Sequence, residues 1–114
     1  MSPITSHILD LNLGKPAAGV TVVLERKSHA SGWQKIADAV SDGDGRLRYL
    51  SPEGEVFSPG HYRLTFETGP YFLLRGIETF FPQVTIAFTV KDAEQHYHVP
   101  LLLSPFGYST YRGS

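Results

Sequence analysis

Apolar and polar residues alternate with a period of two along most of this 114-residue chain, which is the pattern of strands that bury one face. Residues 2–10 open with β-branched positions and stop at a turn cluster, 10–16, that contains Asp10, Gly14 and Pro16. Residues 20–26 (VTVVLER) read as the clearest strand, and their unbroken run Val22, Val23, Leu24 predicts burial on both faces or at a subunit contact. Residues 33–40 (WQKIADAV) alternate well enough to fold back on it as a hairpin, and nothing at their start caps a helix. A dense turn signal at 41–46 leads into a short strand at 47–50, followed by a loop at 51–60 with a short edge strand expected at 55–57. Residues 61–68 (HYRLTFET) alternate as a half-buried strand. The apolar patch 69–76, held between two glycines, is the place for the single short helix, and 84–90 (VTIAFTV) is again a strand. The chain closes with a strand at 96–104, a turn at Pro105, Phe106 and Gly107, and a last strand at 108–112 that stops two residues before the end. About eight short strands with one helical turn predict an all-β sandwich of two sheets. The apolar runs at 20–24 and 101–103 predict strand pairing between subunits, since long apolar edges have to be covered.

Composition narrows the classes. The length suits one domain, 1–114, with a real core and no room for a second. Eleven glycines and eight prolines fit short strands joined by many turns. A formal net charge of −1 supplies no electrostatic reason to expect nucleic acid or an anionic membrane as a partner. With no cysteine, a disulfide framework, a thiol nucleophile and a cysteine-type zinc site are all excluded. The first seven residues carry neither a basic nor an apolar region of a signal peptide, and no stretch approaches the ~18 apolar residues of a membrane span. The expectation is a soluble, cytoplasmic protein.

Candidate chemistry concentrates at the C-terminal end. On a strand, His96, His98 and Pro100 share one face while Tyr97 and Val99 take the other. Two imidazoles therefore stand about 7 Å apart on one surface, from a rise of ~3.3 Å per residue. A lone histidine on a strand is more often a solvated surface group than a functional one. A His-x-His pair directly before a terminus that holds Tyr108, Tyr111, Arg112 and Ser114 marks a candidate site, because chain ends are usually frayed and featureless. Arg46 alone, after a turn, reads as a solvated charge, and Tyr111 alone as a packing residue. His29 and His61 match no motif and read as surface or structural.

Several stretches together resemble the transthyretin-like 5-hydroxyisourate hydrolases: SHILD at 6–10 followed by GKPA at 14–17, the DGR turn at 44–46, FFPQV at 80–84, and HYHVPLLLSP at 96–105 closing on YRGS at 111–114. The histidine-led apolar run together with the terminal YRGS is the specific part, since that tail separates the hydrolases from transthyretin proper. The resemblance implies a two-sheet transthyretin-like β-sandwich assembled as a homotetramer. Its implied reaction is the hydrolysis of 5-hydroxyisourate to 2-oxo-4-hydroxy-4-carboxy-5-ureidoimidazoline in urate catabolism, with no metal or organic cofactor. It implies active sites where two dimers meet, with His7, Arg46, His98 and Ser114 as catalytic groups. Substrate binding is expected from His7, Arg46, His96, Tyr111, Arg112 and Gly113.

The residues suit that chemistry. Opening a cyclic amide C–N bond with water needs a base, an acid for the leaving nitrogen, and a stabilised oxyanion. Histidine, with a reference pKa near ~6.5, transfers protons at neutral pH, and arginine offers a planar fork to the acceptors of a flat urate-like ring. Either His98 or His7 serves as the base on this reading, with His96 in support. Two rivals stand beside it: a zinc hydrolase using His7, His96 and His98 as three imidazole ligands, and a transthyretin-like carrier of a small ligand without turnover.

Overall fold

The β-branched and aromatic alternation does produce strands. In the computed structural model, which describes residues 3–30, 32–50 and 57–114, these residues form nine strands and one helix. They are β1 (Ile4–Asp10), β2 (Lys15–Pro16), β3 (Thr21–Ser28), β4 (Gly32–Val40), β5 (Arg46–Leu47), β6 (Gly60–Phe66), α1 (Thr68–Leu74), β7 (Val84–Val90), β8 (Tyr97–Ser104) and β9 (Gly107–Thr110). One sheet runs β2-β1-β8-β9, with β5 also paired to β1, and the other runs β4-β3-β6-β7. The two sheets pack face to face, and the inward residues Ile4, Ile8, Val22, Leu24, Leu64, Phe66, Leu101 and Leu103 are all buried to within 1 % of full cover.

The hairpin of β3 with β4 and the single helix stand where the alternation and the glycine-bounded patch put them. The segment expected as a strand at 47–50 shrinks to the two residues of β5, and the edge strand expected at 55–57 falls largely outside the described residues. The apolar runs find a different use from the one expected. β3 is flanked by β4 and β6, and β8 by β1 and β9, so both runs lie in central strands rather than open edges, with Val22, Leu24, Leu101 and Leu103 in the core and Val23 and Leu102 half-buried on the outer faces. Among the described residues the edges are instead β4 and β7 in one sheet, and β9 and the short β2 and β5 in the other.

Two contacts fix the position of β1. At the end of β1, fully buried Asp10 accepts the Tyr71 hydroxyl of α1 at 2.6 Å through one oxygen and the amides of Asn12 and Leu13 through the other. Burial and the carboxylate together push the Tyr71 phenol up to about 12, so this bond keeps its proton. The second contact is long-range: β1 and β8 pair in parallel over seven residues, from Ile4 against Tyr97 to Asp10 against Leu103. Parallel neighbours require a long connection, and here it is almost the whole chain.

Candidate active site

In the β1–β8 register Thr5 lies beside His98 and His7 beside Pro100, and in the β1–β5 register His7 lies beside Arg46. Paired residues of neighbouring strands point to the same face. The outer face of this sheet therefore gathers Arg46, His7, Thr5 and His98 from three adjacent strands, with His96 just ahead of β8. A groove of about 350 Å³ opens there, lined by Thr5, Ser6, Arg46, Leu47, Arg48, His96, His98 and Ser114.

The turn before β5 delivers Arg46. The Asp42 carboxylate accepts the amides of Asp44 at 2.9 Å and Arg46 at 3.0 Å, and the first of these closes an Asx-type turn. The amide of Arg46, then that of Asp44, holds the Asp42 carboxyl below its ordinary value despite some opposing desolvation. Gly45 sits at φ +73°, and a Cβ there would stand 2.4 Å from the carbonyl oxygen of Ile8, so the turn can press against β1 only as glycine. Its own carbonyl accepts the Ile8 amide at 2.7 Å. The same turn orients His7, whose Nε2 lies 2.8 Å from the Asp44 carbonyl oxygen. A carbonyl only accepts, so Nε2 carries the proton, and Nδ1 of neutral His7 is the bare nitrogen.

His98 is held differently. Its Nδ1 is 2.8 Å from Thr5 Oγ1, and the same hydroxyl is 2.9 Å from His96 Nε2. The two imidazole centroids are 6.3 Å apart, close to the spacing expected for alternate residues of one strand. Nε2 is thus the His98 nitrogen not engaged by Thr5. Burial lowers the His98 pKa below its ordinary value, and the cationic Arg46 with the neighbouring rings of His96 and His7, which would repel a second positive charge, lowers it further, so the ring is neutral at pH 7. Among the described residues no carboxylate pairs with Arg46, which leaves its fork free for a ligand.

The tail reaches the groove through its last two residues. The Gly113 amide bonds the His98 carbonyl at 2.8 Å, extending the β9 side of β8 by one isolated bridge. A Cβ on Gly113 would stand 2.6 Å from His98 Cδ2, so the tail lies directly on the imidazole. Ser114 follows at the rim. Arg112 and Tyr111 are placed elsewhere within the protomer, contrary to the expectation that they line the histidine groove. The Arg112 guanidinium lies 4.5 Å from the centre of the Tyr97 ring and donates to Gln95 Oε1 at 2.9 Å. With Tyr111 it borders a separate apolar groove of about 250 Å³ beside β7. Arg112 thus anchors the tail through Tyr97 and Gln95 while Gly113 lies against His98.

Thr5 is the residue that sequence reasoning missed. It shares a face with His7 by simple alternation, but its contact with residues 91 and 93 positions later depends on the parallel pairing of β1 with β8. His29 and His61 lie together on the opposite sheet, in a groove lined by Arg26, Lys27 and Pro59, well apart from this cluster. The zinc arrangement is not built: no group of three His, Cys, Asp or Glu among the described residues has the geometry to hold a metal ion. His7 Nε2 faces a carbonyl, while His96 and His98 converge on a hydroxyl.

A two-sheet sandwich with this strand order and one short helix defines a transthyretin-like scaffold, here carrying three imidazoles and a guanidinium on one outer face. The chain belongs to the HIUase/Transthyretin family, which it matches over residues 4–113. It is 50% identical over 111 residues to the 5-hydroxyisourate hydrolase of Salmonella typhi, an alignment covering 97% of this chain and 80% of that one. Among solved structures it resembles the 5-hydroxyisourate hydrolase of Klebsiella pneumoniae, with TM-score 0.84, 39% identity, and 97% and 98% of the two chains covered. It also resembles sea bream transthyretin in complex with thyroxine, with TM-score 0.91, 34% identity, and 98% and 95% covered.

Proposed function

We propose that this chain is a 5-hydroxyisourate hydrolase that opens its substrate to 2-oxo-4-hydroxy-4-carboxy-5-ureidoimidazoline. The observation that carries the reading is the convergence of Arg46, His96, His98 and Ser114 on one groove, with His7 beside Arg46 on the same sheet face. A fold alone does not select a function, so the higher structural score against a thyroxine-binding relative carries less weight than these side chains. The roles follow from the free nitrogens. His98 Nε2 takes the proton from water as it adds to the ring carbonyl, and the Arg46 fork holds the oxygen that gains charge. His7 Nδ1, bare because Nε2 donates to Asp44, accepts a hydrogen bond from a substrate N–H. Gly113 and Ser114 close the rim. Arg112 and Tyr111 contribute by anchoring that tail, as their placement on Tyr97 and beside β7 supports.

The assembly belongs to the same proposal. The free edges β7 and β9 border one apolar groove lined by Ile86, Phe88, Thr110 and Tyr111, which suits strand-to-strand pairing of two protomers. Exposed Leu11, Leu13 and Phe106 offer apolar surface for two dimers to meet, with the histidine groove in the cleft between them. The deciding experiment generates 5-hydroxyisourate from urate with urate oxidase and follows its transient absorbance. Decay accelerated by substoichiometric amounts of the protein supports the reading, and tight binding without faster decay makes the chain a carrier. Sedimentation at micromolar concentration should return four copies of the 12.6 kDa chain, and a monomer alone refutes the assembly.

A further inference from the structure

Thr5 is 4 % exposed, and its hydroxyl meets two imidazole nitrogens at once, His98 Nδ1 at 2.8 Å and His96 Nε2 at 2.9 Å. A hydroxyl has one proton to donate and lone pairs to accept with. If it donates to one ring it must accept from the other, so the tautomers of the two rings are not independent. Leaving either contact unmade would strand a polar group, of the hydroxyl or of a ring, without a partner. Two arrangements satisfy all three groups. In one, Thr5 donates to His98, and His98 presents Nε2–H to the groove. In the other, His98 Nδ1–H donates to Thr5, Thr5 donates to His96 Nε2, and His98 presents a bare Nε2.

We infer that Thr5 is a positioning residue for the hydrolytic reaction, holding the second arrangement and passing protons between His98 and the solvent-side imidazole of His96. The inference rests on the reading of the groove as a hydrolase site. Its physical reason is where charge can reside. His98 is partly buried and has Arg46, His7 and His96 for neighbours, so an imidazolium there is disfavoured, whereas His96 is exposed. When His98 Nε2 takes a proton from water, the water oxygen bonds to the substrate carbonyl carbon. The Nδ1 proton moves to Thr5 Oγ1, and the Thr5 proton moves to His96 Nε2. The positive charge then sits on His96, and His98 is neutral with a proton on Nε2. That proton goes to the ring nitrogen as its bond to carbon breaks, while the relay runs back from His96 through Thr5 to Nδ1. The net transfer is one proton from water to the leaving nitrogen. One imidazole thus acts first as base and then as acid without holding a charge beside Arg46.

The test reads tautomers directly, by 15N NMR of ring-labelled histidine in the assembled protein, alongside kinetics. Neutral His98 of the unmodified protein should carry its proton on Nδ1. In Thr5→Val, which is nearly isosteric and keeps a β-branched residue in the strand, the proton should move to Nε2, the tautomer that neutral histidine favours in water. His96→Phe should cause the same move with Thr5 intact, since the hydroxyl is then free to donate to His98, and this variant decides the matter if Thr5→Val does not fold. His7, bonded to a backbone carbonyl, should keep Nε2–H throughout as the internal control. Thr5→Val should lower kcat by about 10- to 100-fold with KM within about threefold, the loss expected of mispositioned proton transfer. Thr5→Ser should restore kcat to within about threefold. The inference is overturned if His98 of the unmodified protein carries Nε2–H, if its Nδ1–H tautomer is unchanged in both variants, or if Thr5→Ser is as slow as Thr5→Val. Absence of hydrolysis by the unmodified protein instead removes the proposed function, while the NMR comparison still decides the coupling.

Discussion

Replacing Gly113 by alanine separates a functional tail from a frayed one. The new Cβ would stand 2.6 Å from His98 Cδ2, 3.3 Å from Cγ and 3.4 Å from Cβ. Carbon atoms rest at roughly 3.5–4.0 Å, so ring or tail must retreat by about 1 Å. The ring is held by its bond to buried Thr5. The tail is held by the Gly113 amide on the His98 carbonyl and by Arg112 on Tyr97 and Gln95. These tail contacts are at the surface, worth about 0.5–1.5 kcal/mol for the hydrogen bond and about 0.5–1 kcal/mol for the cation over the ring. Stability should therefore fall by no more than about 2.5 kcal/mol when the tail yields. Activity should fall much further, since a 1 Å displacement among reacting groups costs on the order of 10²-fold. Gly107→Ala is the matched control: it lies in the same hairpin, and its Cβ would meet only Ser104 Oγ at 3.8 Å. The assay is the decay of 5-hydroxyisourate generated in situ, with thermal unfolding run in parallel. Gly113→Ala hydrolysing within about threefold of the unmodified protein would show that the packing of the tail on His98 has no part in turnover.

Other outcomes can be stated for the same groove. His98→Asn and His7→Asn should each lower turnover by roughly two to four decades with folding intact, and the same change at His29 or His61 should do little; comparable losses at His29 would place the chemistry on the wrong sheet. Because burial and then the charges of His96, Arg46 and His7 lower the His98 pKa, its base form persists below the ordinary value of 6.5, and kcat/KM should fall only under more acid conditions. The stability linkage has the matching sign: the unfolded state binds the proton first, so this group destabilises the fold as pH drops below 6.5. An acid limb above pH 6.5 in a pH–rate profile would assign the rate to another group. Deleting residues 112–114, or fusing a tag directly to Ser114, should leave the oligomer unchanged in sedimentation and remove most activity, whereas a tag at Met1 should be tolerated; a truncated chain working within about twofold of the intact one refutes a role for the tail.

The long strands, the hairpin of β3 with β4, the one helix and the pairing of imidazoles at His96 and His98 were legible in the chain itself, because they depend on local rules, whereas the two-residue β2 lies in a stretch that reads as a turn. Alternation sets which side chains share a face, and glycine and proline punctuate it. The turn that carries Arg46 was legible for the same reason, through Asp42, Asp44 and Gly45. The joining of distant segments was not legible in that pattern. Nothing local says that Thr5 will lie beside His98, because the parallel pairing of β1 with β8 is chosen by the burial of both strands in one core, across almost the whole chain. Likewise the apolar run of β3 looks the same whether it is central in a sheet or covered by a second subunit, and only the strand order places it in the centre. The tail divides the same way. Its alternation could be read off in advance, but that Arg112 turns to the Tyr97 ring while Gly113 lies against His98 follows from the bridge the tail makes with β8, a contact that exists only once the sheet has formed.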